Sequence, residues 1–228
     1  MKKIIYIFAF LIFGQLCYGQ EKSFYVQTYL NGDTSILFKW QQERYEKAGL
    51  KNLTKATDTF HFRFATDIQA IDIWTNDFLT FMGTLTNFTS SYDPDDYKEK
   101  KDKEDKFFSV TKSLDTSIAR QVYDIFIEKS IFDIPPQDSI KEWTYGEDGI
   151  TYFIEKSTNN SYSFKEYWTP SIFKDKIDEA KRIYEMTKEL EELLNLWQSF
   201  KQFIYSLPYG AYRAGGLLII TTSKPRRK

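Results

Sequence analysis

Apolar and polar residues alternate in three stretches of the chain's second half, 141–145, 150–156 and 162–168. Turn-forming runs at 146–149 and 158–160 separate them. A two-residue period rich in β-branched and aromatic side chains, cut by short turns, predicts an antiparallel meander over 141–168. The same period sorts the faces. Ile150, Tyr152 and Ile154 on one strand, and Tyr162, Phe164, Glu166 and Trp168 on the next, are expected on the core side. Phe153, Glu155 and Tyr167 then point outward.

After Thr169-Pro170 the apolar spacing changes to steps of three and four. Ile172, Phe173, Ile177, Ala180, Ile183, Tyr184, Leu190, Leu194, Trp197, Phe200, Ile204 and Leu207 form one stripe. Threonine before proline suits a helix start, and Pro208 with Gly210 suits a stop, so a helix is predicted over 170–207. Unbroken, it would be about 57 Å long. A compact domain of this size has a radius of gyration of about 17 Å. The helix is therefore expected to bend or break, near Asn195.

The first half reads mainly as strands, at 23–30, 58–66, 67–74, 78–89 and 107–114. Phe60, Phe62 and Phe64 fall on one side of theirs, His61 and Arg63 on the other. Gly83 marks a bulge or a close approach. Residues 34–49 fit two patterns. Ile36, Phe38 and Trp40 alternate, which favours a strand running into a short helical turn; Leu37, Gln41, Arg44 and Ala48 fit a helix. Asp115 precedes a helix over 116–129 with Ile118, Val122, Ile125 and Phe126 on its buried side. The Leu-Leu-Ile-Ile run in 217–222 predicts a last strand buried on both faces. The fold class is thus α+β: an antiparallel sheet that includes the 141–168 meander, with helices about 116–129 and 170–207 packed on one face.

Composition adds a compartment. Met1-Lys2-Lys3, the apolar run 4–13 and the small-residue stretch 14–19 form the pattern of a secretory signal peptide, leaving 20–228 as a single domain. The apolar run is too short to span a bilayer, which takes about 20 residues. Leu16 stands where lipidation of Cys17 would call for a small residue. Without 1–19 the chain loses two of its 31 basic residues and none of its 32 acidic ones. A slightly acidic protein suits neither nucleic acid nor an anionic membrane surface. The expected location is periplasmic or extracellular, with no membrane span after cleavage. Cys17 is the only cysteine, so the mature chain has no disulfide and no thiol nucleophile. Aromatic residues, 20 Phe, 16 Tyr and 5 Trp in the full chain, are expected to hold the core together instead.

Chemical motifs are sparse. His61 is the one histidine, and no Gly-x-Ser-x-Gly accompanies it. One histidine without cysteine does not make the usual zinc sites. The run 93–106 holds seven acids and five lysines but lacks the ligand order of a calcium loop, and reads as a solvated loop inside the domain. Gly210, Gly215 and Gly216 lack the Lys-Ser/Thr pair of a phosphate loop. No cofactor is expected. Glu166, a carboxylate in an aromatic row, is the one catalytic candidate, as half of a glycosidase-type pair, although period two sets Glu155 on the opposite face. Phe153, Tyr167, Trp168 and Arg213 form a candidate interaction surface for a protein or glycan partner, unless a second layer covers the rings. Asn52, Asn87 and Asn159 stand in glycosylation triplets. The functional expectation is an exported binding domain of the cell envelope or extracellular space. A carboxylate-dependent hydrolase centred on Glu166 is the alternative.

Overall fold

The structure is a computed structural model that describes residues 22–27, 35–92, 105–215 and 218–222. Residues 1–19, where a signal peptide is expected, all but the end of the 93–106 charge run, and the basic C-terminal residues lie outside the described residues. The strands are β1 (Ser23–Val26), β2 (Phe60–Ala65), β3 (Gln69–Thr75), β4 (Met82–Tyr92), β5 (Phe107–Leu114), β6 (Thr151–Thr158), β7 (Ser161–Trp168), β8 (Ala211–Arg213) and β9 (Ile219–Thr221). They form one nine-stranded sheet in the order β1-β7-β6-β2-β3-β4-β8-β9, with β5 paired to β4. All pairs are antiparallel except β1 with β7. With helices packed against this sheet, the fold is α+β. β4 and β5, which flank the charge run, pair from Gly83 with Leu114 to Ser90 with Phe107.

The three phenylalanines of β2 lie together, as their spacing requires, in a core that also holds Ile71, Ile73 and Ile154. Helix α2 (Thr116–Glu128) packs on this core through Ala119, Val122 and Phe126, and helix α4 (Asp178–Leu194) through Ala180, Ile183, Met186 and Leu190. The Phe62 and Phe126 rings meet at 4.5 Å. Each such side chain closed to water contributes about 2 kcal/mol. Gly83 is a close approach. A Cβ there would lie 2.6 Å from Ile73 Cδ1 and 3.2 Å from Ala119 Cβ, where α2 crosses the sheet.

The other face is covered too. Residues 36–47 are a helix throughout, α1 (Ile36–Lys47), where alternation favoured a strand. Ser35 caps it, its Oγ accepting from the Leu37 amide at 3.2 Å. Of the residues that alternate, Ile36 and Trp40 are left exposed and Phe38 packs on the Phe164 ring at 5.0 Å, while Gln41, Tyr45 and Ala48 are buried at helical spacing. Tyr45 and Ala48 share a second core with Ala65, Ala70, Phe88, Phe153, Tyr162 and Phe164. Helices therefore lie on both faces of the sheet, not one.

That double cover changes how β6 and β7 are read. Their register sets Phe153 opposite Glu166, Glu155 opposite Phe164 and Tyr152 opposite Tyr167. Phe153, Glu155, Phe164 and Glu166 thus share the α1 side, whereas Tyr152, Ile154 and Tyr167 face α4. The two strands' apolar sets belong to opposite faces, and both are core. Residues 141–145 stay outside the sheet. Glu142 turns the chain with φ +71°, and Trp143 covers Tyr167, its indole N–H donating to the Trp168 carbonyl at 2.8 Å. β1, in parallel, takes the place beside β7.

The C-terminal stripe is cut twice. A short α3 (Pro170–Phe173) ends before Ile177, whose extended backbone starts α4; Asn195, at φ +49° and ψ +50°, separates α4 from α5 (Leu196–Ser206). The break at Asn195 falls where helix length demanded one. Each break shifts the phase, so Ile172 and Trp197 leave the core and are exposed. β9 is the outermost strand, and its Ile219 and Ile220 are only half-buried, so it lacks the two-sided cover its apolar run suggested. No helix among the described residues is long and apolar enough to cross a membrane.

Candidate functional site

A cleft of about 1120 Å³ opens where the ends of β2 and β6 meet α4 and α5. Phe64 and Tyr152 form its floor, stacked at 5.5 Å with their planes 14° apart. Tyr184, Thr187, Lys188 and Glu191 of α4 make one wall, continued by Leu196 and Trp197. The turn after β2 (Thr66, Asp67, Ile68), the lip 147–150, and Ala214, Gly215 and Leu218 of the β8–β9 turn close the rest.

Local chemistry fixes each wall. Gln69 Nε2 donates to the Leu196 carbonyl at 2.8 Å and to Asn87 Oδ1 at 2.7 Å, tying the start of α5 to the sheet. The Glu191 carboxylate accepts from the Trp197 amide at 3.2 Å, completing the helix start that Asn195 leaves without a side-chain cap. Burial raises the Tyr152 phenol despite a hydrogen bond with Thr187. The Asp67 carbonyl accepts from Arg44, which joins this turn to α1. Gly149 lets the lip lie against Trp168 and Thr169, where any Cβ would collide with the threonine hydroxyl. A smaller recess of about 150 Å³, lined by Leu37, Trp40 and Phe153, shares Asp67, Gly149 and Ile150 with the main cleft.

The residues singled out in the sequence do not assemble there. Glu166 is fully buried and lines neither cavity. Its carboxylate accepts from Ser35 Oγ at 2.7 Å and from the Tyr145 hydroxyl at 3.3 Å, and its amide donates to Gln27 Oε1 at 2.9 Å. Burial raises the Glu166 carboxyl above its ordinary range; the two hydroxyls offset part of that, and the charge of Asp138 adds to it. Burial, with the charges of Glu166 and Asp138, pushes the Tyr145 phenol up as well. Glu155 shares a face with Glu166 instead of opposing it, but it is spent on Arg63, Gln42 and Tyr162.

Phe153 and Tyr167 are buried on opposite faces, so they present no common surface. Trp168 is half-buried, with its amide on Gln137 Oε1. Arg213 sits on β8, toward the far end of the sheet, over the Tyr92 ring at 5.3 Å. His61 is held between Asp58 and Asp72 at 2.9 and 3.1 Å and is buried. Among the described residues, no three His, Cys, Asp or Glu side chains converge as a metal site. Asn87 is buried and donates to Ser199 Oγ at 3.1 Å, leaving no room for a glycan in the folded chain.

Sequence reasoning missed the cleft because it counted Tyr184 and Trp197 as one core stripe. The signal was present in Asn195: a break two residues before a tryptophan takes that ring out of phase. The chain matches no protein-family model and no curated protein.

Proposed function

We propose that this chain is an exported, non-catalytic binding domain whose ligand lies in the cleft between α4, α5 and the 147–150 lip. The carrying observation is the rim. Trp197, Ile150 and Leu218 remain 43%, 50% and 51% exposed around a cavity already floored by stacked rings. Apolar side chains held at the mouth of a concave site favour an occupant. Glu166 and His61, the side chains the sequence offered for catalysis, lie outside the cleft and are committed to internal hydrogen bonds, which favours binding over turnover. Export rests on the N-terminal sequence pattern.

The test compares capture from envelope and medium extracts by the wild-type chain, by Trp197→Ala, and by Ile127→Ala, a control on the exposed side of α2. Capture lost in the first variant and kept in the second supports the cleft. Equal capture by all three would remove it. Mass spectrometry of the exported chain should show Gln20 at its N-terminus, and retention of the full-length chain in the cytosol would remove the export half of the reading.

A further inference from the structure

Resting on the cleft as the binding site, we propose that its ligand is an extended, lysine- or arginine-rich peptide segment of a partner protein. Charge is the first argument. Four carboxylates line the cleft, Asp67, Glu147, Asp148 and Glu191, against one ammonium, Lys188. Glu191 is engaged by the Trp197 amide, and Asp67 also has interactions of its own. Glu147 and Asp148 stand exposed on the lip and make no hydrogen bond or ion pair among the described residues. Two unneutralised carboxylates beside an apolar cavity attract a cation that brings its own apolar stem.

The rings are the second argument. Tyr184 already carries the ammonium groups of Lys174 and Lys188 at 5.4 and 5.8 Å from its centre, and Lys174 is answered by Asp175 at 3.1 Å. Trp40, beside the adjoining recess, carries the Arg44 guanidinium at 4.7 Å. Rings that line the cleft and the recess therefore already hold cations of the chain itself, an interaction worth more where the pair is desolvated.

Shape is the third. The main cavity, about 1120 Å³, has room for several residues of extended chain. Asp67, Gly149 and Ile150 also line the smaller recess by Trp40, on the α1 side of the sheet. A neutral saccharide would leave Glu147 and Asp148 unanswered. A compact cation would leave Trp197 and Ile150 bare.

The experiment uses the chain from Gln20 onward and a fluorescent, end-blocked peptide of alternating lysine and alanine, about eight residues or roughly 27 Å long when extended. A glutamate–alanine peptide and a neutral oligosaccharide are the comparison probes. The basic peptide should bind, with affinity falling about tenfold as salt rises from roughly 0.01 to 0.1 M. Glu147→Lys with Asp148→Lys should abolish that binding at unchanged melting temperature, and Trp197→Ala should weaken it about tenfold. If the oligosaccharide binds and the basic peptide does not, the ligand class falls while the cleft stands. If the basic peptide binds equally to wild type and to both variants, it sits elsewhere and the proposal falls. Self-association lost on removing residues 224–228 would give the cleft to a second copy of this chain and overturn the partner peptide.

Discussion

Arg63 and Glu155 face each other across β2 and β6, and guanidinium Nη1 meets the carboxylate at 3.0 Å with both side chains closed to solvent. Arg63 Nε also donates to Asp72 at 3.0 Å and Nη2 to the Lys51 carbonyl at 2.8 Å, while the Tyr45 ring of α1 lies 4.4 Å from the guanidinium carbon. One buried cation thus joins three strands to α1. Arg63→Met leaves two carboxylates buried without their cation and should cost about 3–5 kcal/mol in denaturant unfolding. Adding Asp72→Asn and Glu155→Gln to it should cost less than Arg63→Met alone, because the stranded charges go with their partner. A triple variant less stable than the single one would show that the ionic geometry itself holds α1.

The same cluster sets the acid limb of stability. Burial alone would raise the Asp72 carboxyl, but the charge of Arg63 and the hydrogen bonds from His61 and Arg63 outweigh it and hold it below the usual range. A carboxyl lowered by folding stabilises above its unfolded pKa of about 3.9, and that contribution is lost as pH falls through the lower, folded value. Asp72→Asn should therefore lower the melting temperature at about pH 7 and do so much less near pH 2. An equal loss at both would assign the residue to packing.

How much of this was legible follows from what each residue touches. Phe60, Phe62 and Phe64 declared their face through period two alone, and Asn195 was expected as a break from helix length alone. His61 and Arg63 were placed together, opposite the phenylalanines, but a lone strand does not reveal that α1 will close over them. Glu166 shows the same limit. Its strand was evident; its burial depends on Ser35 and Tyr145, each more than twenty residues away in sequence. Counting β6 and β7 separately could not say which faces correspond, since only the turn at 158–161 fixes that register. The cleft is assembled from five segments distant in sequence, so no local pattern announces it.

Glu166 gives the opposite pH response to Asp72. Its carboxyl is raised in the folded chain, chiefly by burial, so its favourable contribution is complete below the unfolded pKa of about 4.3 and is lost as pH rises through the folded value. Glu166→Gln keeps an acceptor for Ser35 and removes the buried charge. It should raise the melting temperature at about pH 8 and leave it nearly unchanged near pH 4. A fall at both would mean that Ser35 and Tyr145 need the carboxylate.

Gly83 offers a test of the contact between α2 and the sheet. Alanine there would press on Ile73 Cδ1 at 2.6 Å, the Asp72 carbonyl at 3.1 Å and Ala119 Cβ at 3.2 Å. Overpacking of this kind should cost about 1–3 kcal/mol. Ile73→Val removes the nearest of those atoms and should recover part of the loss in Gly83→Ala, though it destabilises on its own. Strictly additive costs would show that the backbone carbonyl, not Ile73, sets the limit.

Asn195 controls both a helix junction and the position of Trp197. Its left-handed backbone is tolerated by asparagine and glycine, whereas alanine there costs about 1–2 kcal/mol. Asn195→Ala should lower stability by that amount, and Asn195→Gly should not. Because Glu191 holds the Trp197 amide, the relaxed glycine variant should keep the tryptophan's emission maximum and its access to quencher. In Asn195→Ala the junction is pressed toward a continuous helix, which would rotate Trp197 back into phase with the stripe. Its emission should then shift to the blue and its quenching fall. Loss of stability without that spectral change would mean that Glu191 and Gln69, rather than the backbone at Asn195, hold the cleft wall in place.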